Sequence, residues 1–96
     1  MPADAEVRRN DDRSRYELVA GDIVLGFAEY RDTGDVLVFP HTVVEPGYRD
    51  QGNGEVLVRG ALDDVRAHGR RIVPTCWFVR EFVDLHPEYV DLLAEP

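Results

Sequence analysis

From Arg15 to Ala20 polar and apolar residues alternate, the period of a strand with one buried face. Gly21-Asp22 follows as a turn signal. Ile23–Arg31 reads as the next strand, and Asp32-Thr33-Gly34-Asp35 as a hairpin loop. Val36–Val44 is then a long strand. Pro40 inside it predicts a local irregularity, because proline donates nothing to a ladder. Upstream, Val7–Asn10 reads as a short first strand and Asp11–Arg13 as a turn. The period changes after residue 53. Leu57, Val58, Ala61, Leu62 and Val65 fall on one helical face, with Glu55/Arg59 and Arg59/Asp63 paired four apart on the other. This predicts a helix over Gly54–His68, ended by Gly69. Arg71–Trp77 is a further strand, Phe78–Leu85 a short helix, and Pro87 opens a last one over Glu88–Leu93.

A strand, a helix and a strand in this order imply a parallel pair with a right-handed crossover. The whole pattern is therefore an α+β fold with a mixed sheet. Antiparallel N-terminal strands precede a β-α-β unit and short C-terminal helices. With no linker or repeat in sight, the expected organisation is a single domain over 1–96.

Between the long strand and the long helix lies HTVVEPGYRDQGNG, residues 41–54. Arg49-Asp50-Gln51-Gly52-Asn53-Gly54 leads directly into the helix, whose unpaired N–H groups and positive dipole end suit a phosphate or diphosphate. Glycines at 52 and 54 permit a tight turn and close backbone approach to a ligand. The loop lacks the Gly-Lys-Ser/Thr of a Walker loop and the second half of G-x-G-x-x-G. A lone G-x-G is also compatible with an ordinary turn.

Arg49, Gly52 and Gly54 match, position by position, the Arg/Gln-x-x-Gly-x-Gly/Ala loop of the GNAT superfamily of acetyl-coenzyme A-dependent N-acetyltransferases. The ending CWFVREFVDLHPEYVDLL resembles a compact, domain-minimal subgroup of that superfamily. The resemblance runs from His41 to Leu93. It implies a GNAT-like sheet splayed between its two parallel strands. Acetyl-coenzyme A would be the cofactor, its pantetheine lying along Thr42, Val43 and Val44. Its diphosphate would lie on the loop Arg49, Asp50, Gln51, Gly52, Asn53 and Gly54. Asn53 stands where relatives are commonly apolar, a departure of little weight if the loop acts through backbone N–H groups. The implied activity is acetyl transfer to an unidentified amine, a small molecule or a peptide. A non-catalytic coenzyme A-binding regulatory module is the alternative.

Composition narrows the partners. The chain has 19 acidic residues against 11 basic ones, all of them arginine, and a net charge of −8. That balance argues against nucleic acid, which needs a basic surface, and is compatible with a cationic acceptor. No run reaches the roughly 20 apolar residues of a membrane span, and no basic-apolar leader begins the chain. A cytoplasmic protein is expected. One cysteine and three histidines without ligand spacing predict no metal.

Two side chains carry the candidate chemistry. The subgroup resemblance places Cys76 near the acetyl thioester, where it would line the site or accept the acetyl group as a thiolate. Its other reading is buried apolar filler. His41, just before the pantetheine segment, is either a base for an ammonium or for Cys76, or a histidine satisfied by a carbonyl. Glu45, Tyr48 and Arg80 are lesser candidates for water activation, loop packing and a distal phosphate. Trp77, Phe78 and Phe82 are expected in the core.

Overall fold

A computed structural model describes residues 5–48 and 52–94. Five strands form one sheet in the order β1-β2-β3-β4-β5: β1 Glu6–Asn10, β2 Arg15–Ala20, β3 Ile23–Asp32, β4 Val36–Val44 and β5 Arg71–Val73. The first four are antiparallel neighbours, while β4 and β5 run parallel. The crossover is helix α1, Asn53–Ala67. Helix α2, Trp77–Leu85, follows β5, and the chain closes with a 3-10 turn over Pro87–Leu92 where an ordinary helix was expected.

The predicted apolar stripe of α1 is the buried one: Leu57, Val58, Ala61, Leu62 and Val65 all pack into the core with Tyr16, Leu18, Leu37 and Phe39 of the sheet. Gly60 lets the helix lie close to β1, because a Cβ there would stand 2.5 Å from a methyl of Val7. Buried phenols pin the layers at their rims. Tyr16 donates to Asp64 of α1 at 2.7 Å, Tyr30 to Asp11 at 2.6 Å and Tyr89 to Asp63 at 2.6 Å. None of the described helices is long and apolar enough to cross a membrane.

Two departures from the pattern shape the functional region. The first is at Pro40. β3 and β4 pair as Glu29↔His41 and then Arg31↔Val38, so Tyr30 alone opposes Phe39 and Pro40. This is a bulge, and it reverses which side chains face α1. Leu37 and Phe39 point into the core. Beyond the bulge Thr42, paired with the core residue Ala28, takes the inner face, while His41 and Val43 pair with Glu29 and Phe27 on the outer one.

The second departure is in β5, expected to run to Trp77 but ending at Val73. Its ladder with β4 stops at Val38↔Val73. Pro74 comes next and has no N–H to give. The chain then turns away, and the Cys76 N–H returns to the Phe39 carbonyl at 2.8 Å. Residues 41–44 are thus paired with β3 on one edge and left by β5 on the other. This is the splay between the parallel strands.

Candidate active site

The splay opens a cleft of about 710 Å³. One wall is the β4 segment 41–44, one end is the α1 turn 52–55, and the opposite wall is the start of α2, residues 76–78. The expected pantetheine segment, the two loop glycines and Cys76 thus line a single space. Arg49, Asp50 and Gln51 lie outside the described residues.

The two glycines do different work. Gly52 sits at φ 78°, the left-handed region that side chains with a Cβ resist, and turns the chain into α1. Gly54 has no such dihedral. A Cβ on it would meet Cζ of Phe78 at 2.8 Å. Its smallness serves contact between the two helices across the cleft, rather than ligand approach alone. The N-cap residue Gly52 has no side chain to cap α1, and the positive end of the helix lies at the cleft.

Asn53 was expected to matter little. Its side chain is buried, and its Nδ2 donates to the Tyr48 carbonyl at 2.9 Å. It ties the start of α1 to the 3-10 turn Pro46–Tyr48. Its Oδ1 is buried and has no hydrogen-bond partner among the described residues. Tyr48 itself is half-buried against the core.

Cys76 caps α2 with an extended backbone and is largely buried, so the sulfur sits at that helix's positive end. Its Sγ lies 3.6 Å from the Thr42 hydroxyl. The bulge explains this pairing, since strict alternation from Phe39 would have turned Thr42 to the outer face. His41, in contrast, is exposed. Its ring lies on the outer face, 6.4 Å from that of Phe27. The polar side chain meeting Cys76 is therefore Thr42, which the sequence pointed to for its backbone alone.

Glu45 is exposed and anchored by its N–H to the Leu25 carbonyl. Arg80 is exposed on α2. His86 hydrogen-bonds the Phe82 carbonyl through Nδ1 at 2.8 Å and stacks on Phe82, a structural role. Trp77 overturns its expectation: it is 71% exposed at the cleft mouth rather than buried in the core. Its position as the first residue of α2, rather than the last of β5, turns it outward. Among the described residues no three His, Cys, Asp or Glu side chains cluster as a metal site would require.

Comparison with known proteins agrees with this geometry. The sequence profile of the GCN5-related N-acetyltransferase family matches residues 15–92. The NMR solution structure of a GCN5-like protein from Staphylococcus aureus superposes with a TM-score of 0.65 at 15% identity. The alignment covers 98% of this chain and 92% of that one. At this identity the likeness speaks for the fold. A search of curated proteins found no match.

Proposed function

This chain belongs to the GCN5-related N-acetyltransferase family, and we propose that it transfers acetyl from acetyl-coenzyme A to an amine in the cleft between β4, α1 and α2. The observation that carries this reading is the β4 edge that β5 leaves behind, facing the N-terminus of α1 across one space. A thin ligand with a diphosphate at one end and amides along its length suits such a space. The diphosphate meets N–H groups at Gly52–Gly54. The amides meet strand backbone at residues 41–44. The volume lies within the range of about 300–1,000 Å³ usual for small-molecule sites.

The bound coenzyme supplies an acyl group already activated as a thioester. The protein's share is positioning, exclusion of water and management of one proton. The β4 edge and α1 turn fix the ligand's axis. Cys76 beside the Thr42 hydroxyl, acting as a thiolate, is one candidate to take the proton of an incoming ammonium, and His41 and Glu55 line the same cleft. The same sulfur could instead attack the acyl carbon, forming its own thioester. The coenzyme's sulfur would then leave with the electron pair and take up a proton, and the amine would displace Cys76 in a second step.

Native mass spectrometry of the protein with acetyl-coenzyme A tests binding, and denaturing mass spectrometry tests the covalent route. The chain has no lysine, so adventitious acetylation has little to modify. An acetyl adduct lost in Cys76→Ala supports the two-step route. A complex without adduct, together with release of free coenzyme A on adding amines, supports direct transfer. Absence of any complex overturns the proposal. Gly52→Asp is expected to weaken coenzyme binding at least ~10-fold, by strain at positive φ and repulsion of phosphate.

A further inference from the structure

Trp77 is the only tryptophan of the chain. Burying so large an apolar side chain is favourable, yet here the fold leaves it 71% exposed. It is not loose. Its ring stands 5.8 Å from that of Phe78 at 84°, and Phe78 in turn packs on Gly54. The indole is thus braced at the cleft mouth, one residue from Cys76.

Acidic side chains outnumber basic ones on α2 and at the α1 turn that faces the cleft, with Arg80 three residues from Trp77 and Glu55 lying 3.9 Å from His86. Glu55 lines the cleft, and Glu81 and Asp84 lie exposed on α2, against the single Arg80 of that helix. The whole chain carries −8. An aromatic face within a negative field attracts a cation, and indole is the strongest of the side-chain faces. An amine must lose its own charge to react, so a cation held here belongs to another part of the acceptor.

Building on the acetyltransferase reading, we infer that Trp77 is a specificity residue selecting acceptors that carry a second, fixed positive charge, which stacks on its indole. Such an acceptor would be a diamine-like or quaternary-ammonium-bearing amine, anchored at Trp77 with its free amine toward Cys76.

The probe is aminopropyl-trimethylammonium, compared with the neutral isostere in which carbon replaces the quaternary nitrogen. Steady-state kinetics with acetyl-coenzyme A and equilibrium titration of Trp77 fluorescence are run side by side. The cationic probe is expected to show a kcat/KM about 3- to 30-fold above the isostere and a saturable fluorescence change that the isostere lacks. Trp77→Leu should abolish the preference and Trp77→Phe restore part of it, a pattern that mere loss of packing would not give. Equal kcat/KM for both probes, with no saturable signal, overturns the inference while leaving acetyl transfer intact. A saturable cation signal without turnover of either probe supports the cation site and counts against acetyl transfer. A preference that survives in Trp77→Leu assigns selection elsewhere and overturns the inference.

Discussion

Gly54→Ala tests whether the two helices bordering the cleft touch where the structure has them touch. An added methyl would stand 2.8 Å from Cζ and 3.1 Å from Cε2 of Phe78. Carbon atoms rest about 3.5–4.0 Å apart, so the ring would have to withdraw by roughly 1 Å. Overpacking of this kind costs about 1–3 kcal/mol. Phe78 is half-buried and can swing, which favours the lower end. Opposing this, alanine is favoured over glycine in a helix by up to about 1 kcal/mol. The single variant should therefore be destabilised by about 0–2 kcal/mol. In a Phe78→Ala background the obstruction is gone, and the same change should stabilise by about 0.5–1 kcal/mol. The sign reverses, and the coupling between the two sites is about 1–3 kcal/mol. Urea unfolding followed by circular dichroism resolves this, since slopes of about 1–3 kcal/mol per molar convert 1 kcal/mol into a midpoint shift of roughly 0.3–1 M. Equal stabilisation by Gly54→Ala in both backgrounds would refute the contact, and with it the bracing of Trp77 through Phe78.

Three further outcomes are expected. Gly26→Ala would place a methyl 2.6 Å from the Val43 carbonyl oxygen, backbone that cannot yield without parting β3 from β4. A loss of about 1–3 kcal/mol or more in chemical unfolding is expected, and a neutral result would mean the strands lie further apart. Asn53→Asp keeps the shape but loses the donor to the Tyr48 carbonyl and buries a carboxyl. It should cost about 1–3 kcal/mol and weaken coenzyme affinity in calorimetry, and unchanged values of both would rule out a role for that tie. At alkaline pH, burial first and then the hydrogen bond to Asp11 push Tyr30 up to about 12 from 10.0. Burial and a carboxylate partner raise Tyr16 and Tyr89 as well. A raised folded-state pKa stabilises fully below the unfolded value and loses that contribution as pH climbs through the folded one. Stability should therefore fall from about pH 10 toward 12, with tyrosinate absorbance rising in step with unfolding. Phenols of Tyr16 and Tyr30 ionising at their ordinary value in folded protein would contradict this.

The parts legible in the sequence are those set by period. The α1 stripe, the β2 alternation and the span Val36–Val44 follow from spacing alone, and the structure has each of them. The fold class follows from their order. The errors arose where side-chain orientation depends on one backbone event. Pro40 signalled an irregularity, but a proline does not say whether a strand bulges, bends or ends. Strict alternation along β4 would have placed His41 and Phe39 on the same side. The bulge separates them and brings Thr42 to Cys76. Trp77 was misread for a similar reason: Arg71–Trp77 looks strand-like, and the proline at 74 does not by itself say that the ladder stops at Val73, four residues early.

These two prolines act on the same level of the sheet. The last parallel pair is Val38↔Val73, and each strand then meets a proline within two residues, Pro40 and Pro74. Pro74 has no N–H to extend the ladder, whereas the Pro40 nitrogen points to the β3 side, opposite the Phe39 carbonyl, and acts through the bulge. The Phe39 carbonyl is left to the Cys76 N–H and the Thr75 hydroxyl, at 2.8 and 3.3 Å. That pair of bonds converts a failing strand into the N-terminus of α2 and fixes the position of Cys76. The bulge at Pro40 meanwhile turns Thr42 inward to meet it. The cleft and the Thr42–Cys76 contact thus come from two neighbouring events, a parallel ladder that stops before Pro74 and a β3–β4 bulge at Pro40. The placement of Cys76 beside Thr42 rests on where a sheet fails.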